Sequence, residues 1–223
     1  MSMRYMTKRS DRLGASQTVE DVVAQITDRL LNGKMVPGQR LIEADLMAEL
    51  STGRGPIREA LRILAGDGIV ELMPNRGARV RSYSPQEIVE IMEVVAALQF
   101  LAADLVMARH LTPEEIQPLR DACAVIAAAM ETGNKRFVMR SLLQYQYRFN
   151  SLSNNRYITI AMDGMNHGYH SDIIAEGVPL EKLSGCAENY VALTDAITAG
   201  DAQKVRQIMR VNYDTIIGSL RGN

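Results

Sequence analysis

Tryptophan is absent from the 223 residues, aromatic side chains make up 5%, and there are two cysteines and three histidines. Two cysteines do not form the disulfide framework of small secreted domains, and we expect them to be buried free thiols in a reducing compartment. Neither Cys123 nor Cys186 has a histidine near it in the sequence, and no glycine motif for phosphate or dinucleotide binding is present. The lack of a Cys–His pair and of a nucleotide-binding motif disfavours catalysis. We therefore predict that the chain is not an enzyme and needs no cofactor.

Long apolar runs are also missing. Residues 1–16 are polar and basic and contain no apolar h-region, so we expect no signal peptide. The stretch from Phe100 to Ala108 is interrupted by Asp104 and is too short to span a bilayer. Hydrophobic residues still make up 47% of the chain, enough for a packed core. We therefore expect a folded, cytoplasmic protein that makes no contact with a membrane.

The net charge of the whole chain is −1, which gives little attraction for an anionic partner. The charged residues are, however, unevenly distributed along the chain. Residues 1–82 contain 13 Lys and Arg against 10 Asp and Glu, whereas residues 83–223 contain 12 against 16. The basic excess is confined to the first third of the chain. This distribution is expected when one small domain contacts phosphates.

The first 82 residues alternate helical periodicity with turn signals. After a flexible arm (1–16), apolar spacing predicts helices at about Thr18–Leu31 and Glu43–Leu50, and a third that Pro56 opens and Gly66 ends. Two short β-like runs then follow, joined by a turn. Three helices followed by a hairpin form the pattern of a winged helix-turn-helix, which we assign to residues 17–82. The predicted strands are Ile69–Met73 and Ala78–Ser82.

Only helical patterns follow Ser82. Capping boxes at Ser84 and Thr112, each with proline at the next position, open two of the helices. We expect about six helices of roughly 20 residues each. Their breaks fall near His110, Gly133, Asn154, Gly177 and Gly200. The predicted fold is thus mainly α: a winged helix-turn-helix followed by an all-helical bundle at residues 83–223.

The third helix is the candidate for reading DNA. Ile57, Leu61 and Leu64 form its inward stripe, and the arginines lie elsewhere. Arginine pairs bidentately with guanine or phosphate, and a helix N-terminus can bind a phosphate through free backbone N–H groups. A glycine at the helix start lets the backbone approach DNA closely. The candidate contacts on this helix are Arg54, Gly55, Arg58 and Arg62.

The hairpin supplies candidate contacts of its own. Arg79 and Arg81 are two residues apart and share one strand face, while Val80 points to the core. Arg76 precedes Gly77 at the tip, where it can enter a minor groove. The alternative is that all these arginines form a solvated surface. The combination of helix, turn, second helix and basic hairpin favours DNA binding.

These segments resemble the GntR family of winged-helix repressors. The resemblance rests on Pro37–Leu41, Asp45–Leu46, Gly53–Leu64, Gly68–Val70 and Asn75–Val80. In that family two arginines of the recognition helix and the wing glycine contact DNA, which implies Arg54, Arg58 and Gly77 here. The chain departs from the family at Gly53, where Ser or Thr is usual, and at Gly55, which replaces a common Thr.

The helical remainder resembles the ligand-binding domain of the FadR-like branch, the FCD domain. The signs are Asp195–Ile197, Gly200–Ala202, Phe149 and Asn155. Many members bind a divalent metal through one Asp and three His. The resemblance puts those positions on Gln146, Asn150, Tyr190 and Asn212, which are poor ligands for zinc or nickel. We therefore predict no metal there. The four residues form either a polar network satisfied by itself or by water, or a metal-free effector pocket.

A second metal candidate is Asp163, His167 and His170, which a continuous helix would align on one face. Gly164 and Gly168 weaken such a helix, so we expect ordinary surface or capping roles instead. The resulting hypothesis is that the chain is a homodimeric transcription regulator that binds double-stranded operator DNA. We expect it to act as a repressor and its DNA binding to be controlled by a small-molecule effector. The alternatives are a helical domain that only dimerises and a metal-dependent member with an atypical site.

Overall fold

The computed structural model describes residues 18–31, 33–74, 77–165 and 167–222, and for 31 and 167–169 the backbone alone. The described residues contain ten helices and three strands. They group into two compact units, one of residues up to Tyr83 together with Asp163–Tyr169, and one of Ser84–Met162 with His170 onward. The predicted arm and Arg76 lie outside the described residues.

Three helices and a small sheet make up the part of the first unit that precedes Ser84. The sequence predicted the helices within two residues and the hairpin within two. The third helix begins at Arg54, two residues before the predicted start at Pro56. Proline is tolerated throughout the first turn of a helix, because the N–H groups there have no intrahelical acceptor. The elements are α1 (Val19–Leu31), β1 (Arg40–Leu41), α2 (Glu43–Leu50), α3 (Arg54–Gly66), β2 (Val70–Met73) and β3 (Gly77–Val80).

The strand β1 was not predicted. It pairs antiparallel with β3, placing Leu41 opposite Ala78, and the strand order is β1-β3-β2. Two residues are too few to show an alternating pattern, so this strand had no periodic signal to find. The sheet covers one side of a core in which Ile57, Leu61 and Leu64 of α3 are at most 1% exposed. Burial of this stripe fixes which face of α3 is turned to solvent.

The described residues after Tyr83 form helices and no strand. The helices are α4 (Pro85–Met107), α5 (Pro113–Glu131), α6 (Lys135–Leu152), α7 (Arg156–Gly164), α8 (His167–Gly177), α9 (Leu180–Thr198) and α10 (Ala202–Arg221). Both predicted capping boxes are present: the Ser84 hydroxyl accepts from the Glu87 N–H, and the Thr112 hydroxyl accepts from the Glu115 N–H. The architecture confirms the predicted fold class.

The prediction of six helices was wrong, because the segment between Asn154 and Gly177 forms two short helices. Gly164 ends α7, and α8 begins at His167. Glycine costs about 1 kcal/mol in a helix interior, and two glycines within five residues make this segment easy to interrupt. Asp163 and His170 therefore do not share a helix, which removes the alignment that a metal site on one helix face required. The expected surface role was wrong for His170, which is 0% exposed because α8 turns it into the core.

The contacts between helices show which of them surround the centre of the bundle. Helix α10 packs against α4 and α9, and α5 packs against α6 and α9. Helix α6 also contacts α4 and α9, so α4, α6, α9 and α10 surround one interior region. In the part of the chain that is described, no helix is both long and apolar enough to cross a membrane.

Candidate DNA interface and helical-domain cavity

The solvent face of α3 carries a row of arginines. Arg54, Arg58 and Arg62 are spaced four residues apart, so they lie along one side of the helix. Their side chains are 67%, 56% and 69% exposed, whereas the opposite side of the helix is buried in the core. The row begins at the helix N-terminus, which is the end that a recognition helix directs to base edges.

Each of these arginines has an acidic neighbour. The Arg58 Nε donates to both carboxylate oxygens of Glu43 at 3.0 Å, and the Arg54 Nε lies 4.0 Å from one of them. The Arg62 Nη1 donates to Glu59 at 3.3 Å. Exposed ion pairs of this kind contribute at most about 1 kcal/mol to stability. The pairs therefore orient the side chains more than they hold the fold together.

The N-terminus of α3 is open to an approaching backbone. Its N-cap, Gly53, has an extended conformation and no side chain with which to cap the first turn. A Cβ added to Gly55 would meet no described atom within 4 Å. The N–H groups of the first turn lack intrahelical acceptors and carry the positive end of the helix dipole. This end can hold a phosphate.

The wing presents one described arginine to solvent. Arg79 in β3 lies between the buried residues Ala78 and Val80, and its Nη2 donates to Glu71 on β2 at 3.0 Å. The Arg81 guanidinium lies over the Tyr83 ring, 4.5 Å from its centroid.

Gly77 has a structural requirement where β3 begins, next to the tip of the wing. Its φ is +83°, and a Cβ there would lie 2.5 Å from the Leu41 carbonyl oxygen. Only glycine fits this approach of β3 to β1 without strain.

Six uncharged polar residues and three apolar residues line a small cavity in the second unit. Its volume is about 20 Å³, roughly the space that one water molecule needs. The lining residues are Gln99, Tyr145, Gln146, Phe149, Tyr190, Leu193, Met209, Asn212 and Tyr213. Three of the four predicted pocket residues are in this set, and Asn150 is not. The lining contains no ionised side chain.

Hydrogen bonds satisfy part of this polar interior. The Gln146 Nε2 donates to the Tyr190 hydroxyl at 3.2 Å, and the Asn189 Nδ2 donates to the Asn212 Oδ1 at 2.7 Å. The Tyr213 hydroxyl, by contrast, is buried and has no hydrogen-bond partner among the described residues. An unpaired buried hydroxyl costs free energy, which a water or a ligand in the cavity would recover.

Asn150 lies beside the cavity and makes a different contact. Its Nδ2 and the Nε2 of Gln99 both donate to the Met162 sulfur, at 3.1 and 3.3 Å. A thioether is a weak acceptor. The Asn150 Oδ1 is buried without a partner among the described residues.

Comparison with known proteins covers both units. Residues 18–80 match bacterial regulatory proteins of the gntR family, and residues 90–215 match the FCD domain. The second match alone spans more than half of the chain. The chain belongs to the GntR family, in the branch that carries an FCD domain. It is a transcriptional regulator with an N-terminal DNA-binding domain, as the sequence predicted.

Relatives of this GntR-family chain cover most of its length. It is 25% identical over 202 residues, 90% of this chain and 86% of the relative, to the "Probable D-xylose utilization operon transcriptional repressor" of Paenarthrobacter nicotinovorans. It is 25% identical over 214 residues, 92% and 85% of the two chains, to the gluconate operon transcriptional repressor of Bacillus subtilis. Escherichia coli McbR/YncC has the same fold, with a TM-score of 0.76 at 21% identity over 93% of this chain and 99% of that one.

The FCD interior of this chain does not fit a transition metal. The amide nitrogens of Gln146 and Asn150 donate hydrogen bonds, and the Asn212 oxygen accepts one from Asn189. Burial raises the pKa of the Tyr190 phenol far above its usual range, so it stays protonated at neutral pH. Zinc and nickel prefer imidazole, thiolate or carboxylate. Among the described residues, no three His, Cys, Asp or Glu side chains come together as a candidate metal site.

The sequence prediction missed six of the nine residues that line the cavity, Tyr213 among them, and it missed Glu43 beside the arginine row. Tyr213 follows the predicted Asn212 directly, and its place four residues after Met209 on α10 was a signal that it faces inward. Glu43 lies 15 residues before Arg58, and no local pattern links an acidic residue in the first turn of α2 to the face of α3.

Proposed function

We propose that this chain is a repressor that reads operator DNA with α3 and contacts the flanking backbone with the wing. Arg54, Arg58 and Arg62 reach base edges or phosphates, while Gly55 lets the start of α3 approach a phosphate. Gly77, Arg79 and Arg76 belong to the wing contact. Residues 17–82 form the DNA-binding domain, and residues 83–223 form the effector-binding and dimerisation domain. In this proposal the activity is binding rather than catalysis, and the protein acts in the cytoplasm, where its operator DNA is.

The observation that carries this proposal is the orientation of α3. The residues of its apolar stripe are at most 1% exposed, and its other side presents three guanidinium groups to solvent. The row of arginines begins at the helix N-terminus, which has no side-chain cap and is flanked by glycines. This arrangement matches the chemistry of major-groove readout, in which arginine pairs with the O6 and N7 of guanine. That two relatives carry the word repressor in their names supports the direction of regulation.

In vitro selection from a randomised duplex pool tests the DNA-binding function. The full chain should enrich one pseudo-palindromic site whose half-sites are one helical turn apart, about 10 base pairs, or a multiple of it. Enrichment of no sequence above the starting pool would contradict sequence-specific binding. Enrichment of a single asymmetric site would contradict two-fold binding.

We further propose that a second copy of the chain covers an apolar face of α4. Val94 and Leu101 lie seven residues apart on this helix and are 50% and 44% exposed, with exposed Ala97 between them. Ion pairs flank the strip: Arg221 contacts Glu93, and Arg206 contacts Asp104. An apolar strip with a charged rim has the composition of a dimer interface, and a homodimer matches the symmetry of a palindromic operator.

The cavity is the proposed effector site, and we expect the effector to be uncharged. Amides, phenols and three apolar side chains line the cavity, and none of the lining residues is cationic, so a carboxylate would be buried there without a counter-charge. Since the cavity now measures about 20 Å³, an effector larger than water must displace side chains, and the flexible Met209 is the lining residue best suited to move. The alternative is a helical domain that only dimerises and binds no effector.

A thermal-shift screen separates these two candidates. If the domain senses an effector, at least one neutral metabolite in a panel should raise the melting temperature in a concentration-dependent way and weaken binding to the selected site. If the domain only dimerises, no compound will do both.

Elemental analysis of protein purified without chelator tests the metal-free assignment. We expect zinc, nickel and manganese well below one atom per chain. A near-stoichiometric metal that is lost in Asn150→Ala or Asn212→Ala would contradict it and would point to a metal-dependent member with an atypical site.

A further inference from the structure

Glu43 occupies a special position beneath the arginine row. It is the first residue of α2, its side chain is only 25% exposed, and α2 packs against α3. Its carboxylate contacts Arg58 and approaches Arg54, so one acidic group joins two arginines that are a full helical turn apart. Glu59 differs because it contacts one arginine, Arg62, three residues away on the same helix, and is 52% exposed.

The geometry of the Arg58 contact determines what it can do. The carboxylate engages Nε at 3.0 Å from both of its oxygens. The remaining four N–H donors of the guanidinium are on Nη1 and Nη2, the edge that can fork onto the O6 and N7 of a guanine. A guanidinium held at Nε loses much of its freedom to rotate before DNA arrives. The side chain is therefore preorganised for one direction of hydrogen bonding.

The negative charge of Glu43 has a second effect, because it weakens the attraction between this surface and DNA phosphates. A carboxylate beside the DNA-facing row repels the phosphate backbone and neutralises part of the positive charge that drives sequence-independent binding. The orientation of Arg58 favours DNA that presents the correct base. The repulsion between Glu43 and the phosphates weakens binding to any DNA that does not form this base contact. Both effects raise the ratio of specific to non-specific affinity.

We propose that Glu43 is a specificity-determining positioning residue that holds Arg58, and with it Arg54, in the orientation that reads a base edge. The inference rests on the proposed interface, in which these arginines contact DNA. It assigns to Glu43 a role in discrimination between sequences and no favourable contact of its own with DNA.

Glu43→Gln tests the inference, with Glu59→Gln as the matched control. Both changes remove one negative charge from the same surface and retain the side-chain length. Full-length proteins are titrated by fluorescence anisotropy, over a range of salt, against the selected duplex and against a random-sequence duplex of equal length. We expect both variants to bind the random duplex about two- to fivefold more tightly. Glu43→Gln should reduce the ratio of specific to random affinity by about tenfold, whereas Glu59→Gln should reduce it by no more than its own two- to fivefold gain on the random duplex.

Single-base variants of the selected duplex give a sharper measurement. The positions at which Arg58→Ala loses discrimination should be those at which Glu43→Gln loses it, and the double variant should lose little more than Arg58→Ala alone. Glu43→Asp keeps the charge but is one methylene shorter. It should lower the ratio without tightening binding to the random duplex, and it provides a second readout if Glu43→Gln lowers the melting temperature.

The outcomes separate this inference from the proposal beneath it. If Glu43→Gln and Glu59→Gln change the ratio equally, or if Glu43→Asp behaves as wild type, Glu43 acts through charge alone and the inference is wrong. If Arg58→Ala itself binds the selected duplex as wild type does, the proposed interface is wrong and the inference is wrong with it.

Discussion

At the scale of single residues, the structure assigns roles to side chains through what lies next to them. Gly77 and Gly55 belong to the same unit and to the same proposed DNA surface, yet their surroundings differ. Gly77 has a positive φ and faces a backbone carbonyl, whereas Gly55 has open space around its Cα in the described structure. The two positions should respond in opposite ways to the same substitution.

Gly77→Ala should destabilise the first unit by about 2 kcal/mol or more. The left-handed conformation costs about 1–3 kcal/mol for a residue with a Cβ, and the clash with the Leu41 carbonyl oxygen also forces β1 away from β3. Gly55→Ala is the control and should be neutral or stabilising by up to about 1 kcal/mol, because alanine is the better helix former. Urea unfolding of both variants measures the difference, and equal stabilities would show that the positive φ at Gly77 does not matter.

Tyr213→Phe should leave the free energy of unfolding unchanged or raise it by up to about 1 kcal/mol. Its hydroxyl is buried without a partner in the described part of the chain, so removing the hydroxyl removes a desolvation cost. Tyr190→Phe is the matched variant and should lower stability by about 1–3 kcal/mol, because the Gln146 amide donates to the hydroxyl that is lost. A destabilised Tyr213→Phe would mean that the cavity holds a bound partner for that hydroxyl.

Residue-level prediction from sequence succeeded where contacts follow helical spacing. The buried stripe of Ile57, Leu61 and Leu64 is a periodic feature, and so is the exposed row that begins with Arg54. Glu43 could not be predicted, because its contact with Arg58 depends on how two helices pack. The carbonyl that excludes a Cβ at Gly77 comes from a strand that carries no pattern.

At the scale of elements, α4 presents an unusual surface for a helix in a bundle. Its buried side includes Ile88, Met92 and Val95, while Val94 and Leu101 are half-exposed on another side. An apolar side chain in solvent is ordinary when it occurs singly. Two that share one face, flanked by ion pairs, are better explained by a partner helix.

The double variant Val94→Glu/Leu101→Glu should convert a dimer into a monomer. Two carboxylates per chain would face each other across a two-fold axis, where like charges cost several kcal/mol. Val125→Glu is the control, since Val125 is also exposed, at 39%, but lies on α5. Light scattering after size exclusion at micromolar concentration reports the mass. A double variant that remains dimeric while folded would place the interface elsewhere.

Element boundaries show where sequence patterns carry little information. Capping boxes at Ser84 and Thr112 fixed two helix starts, because the side chains that form them are local. The break between α7 and α8 was missed even though Gly164 stands at it. A glycine lowers helix stability wherever it occurs, and only packing decides whether the helix continues through it.

At the scale of the whole molecule, charge and function follow the same division. The basic excess is in residues 1–82, where the arginine row and the wing are, and the acidic excess is in the helical remainder. An overall charge of −1 limits non-specific attraction to nucleic acid. Binding must then depend on the local field of the DNA-binding surface and on base contacts.

Arg79→Ala should weaken binding to every sequence by a similar factor. Arg79 lies on the wing, where contacts to phosphate carry no base information. We expect the slope of log affinity against log salt to fall by about one for each protomer that loses a phosphate contact. Anisotropy titrations at several salt concentrations measure the slope. A loss of discrimination at one base position would instead give Arg79 a role in base readout.

The central claim is that α3 reads base edges through Arg58, and the affinity of Arg58→Ala for the selected duplex tests it most directly. Each lost bidentate contact costs about 1–3 kcal/mol, and a dimer loses two, so we predict a fall of at least about 30-fold for the selected duplex. Random-duplex affinity should fall much less, and the melting temperature should stay near that of wild type, since Arg58 is 56% exposed. Wild-type affinity and discrimination in a folded Arg58→Ala protein would contradict the claim.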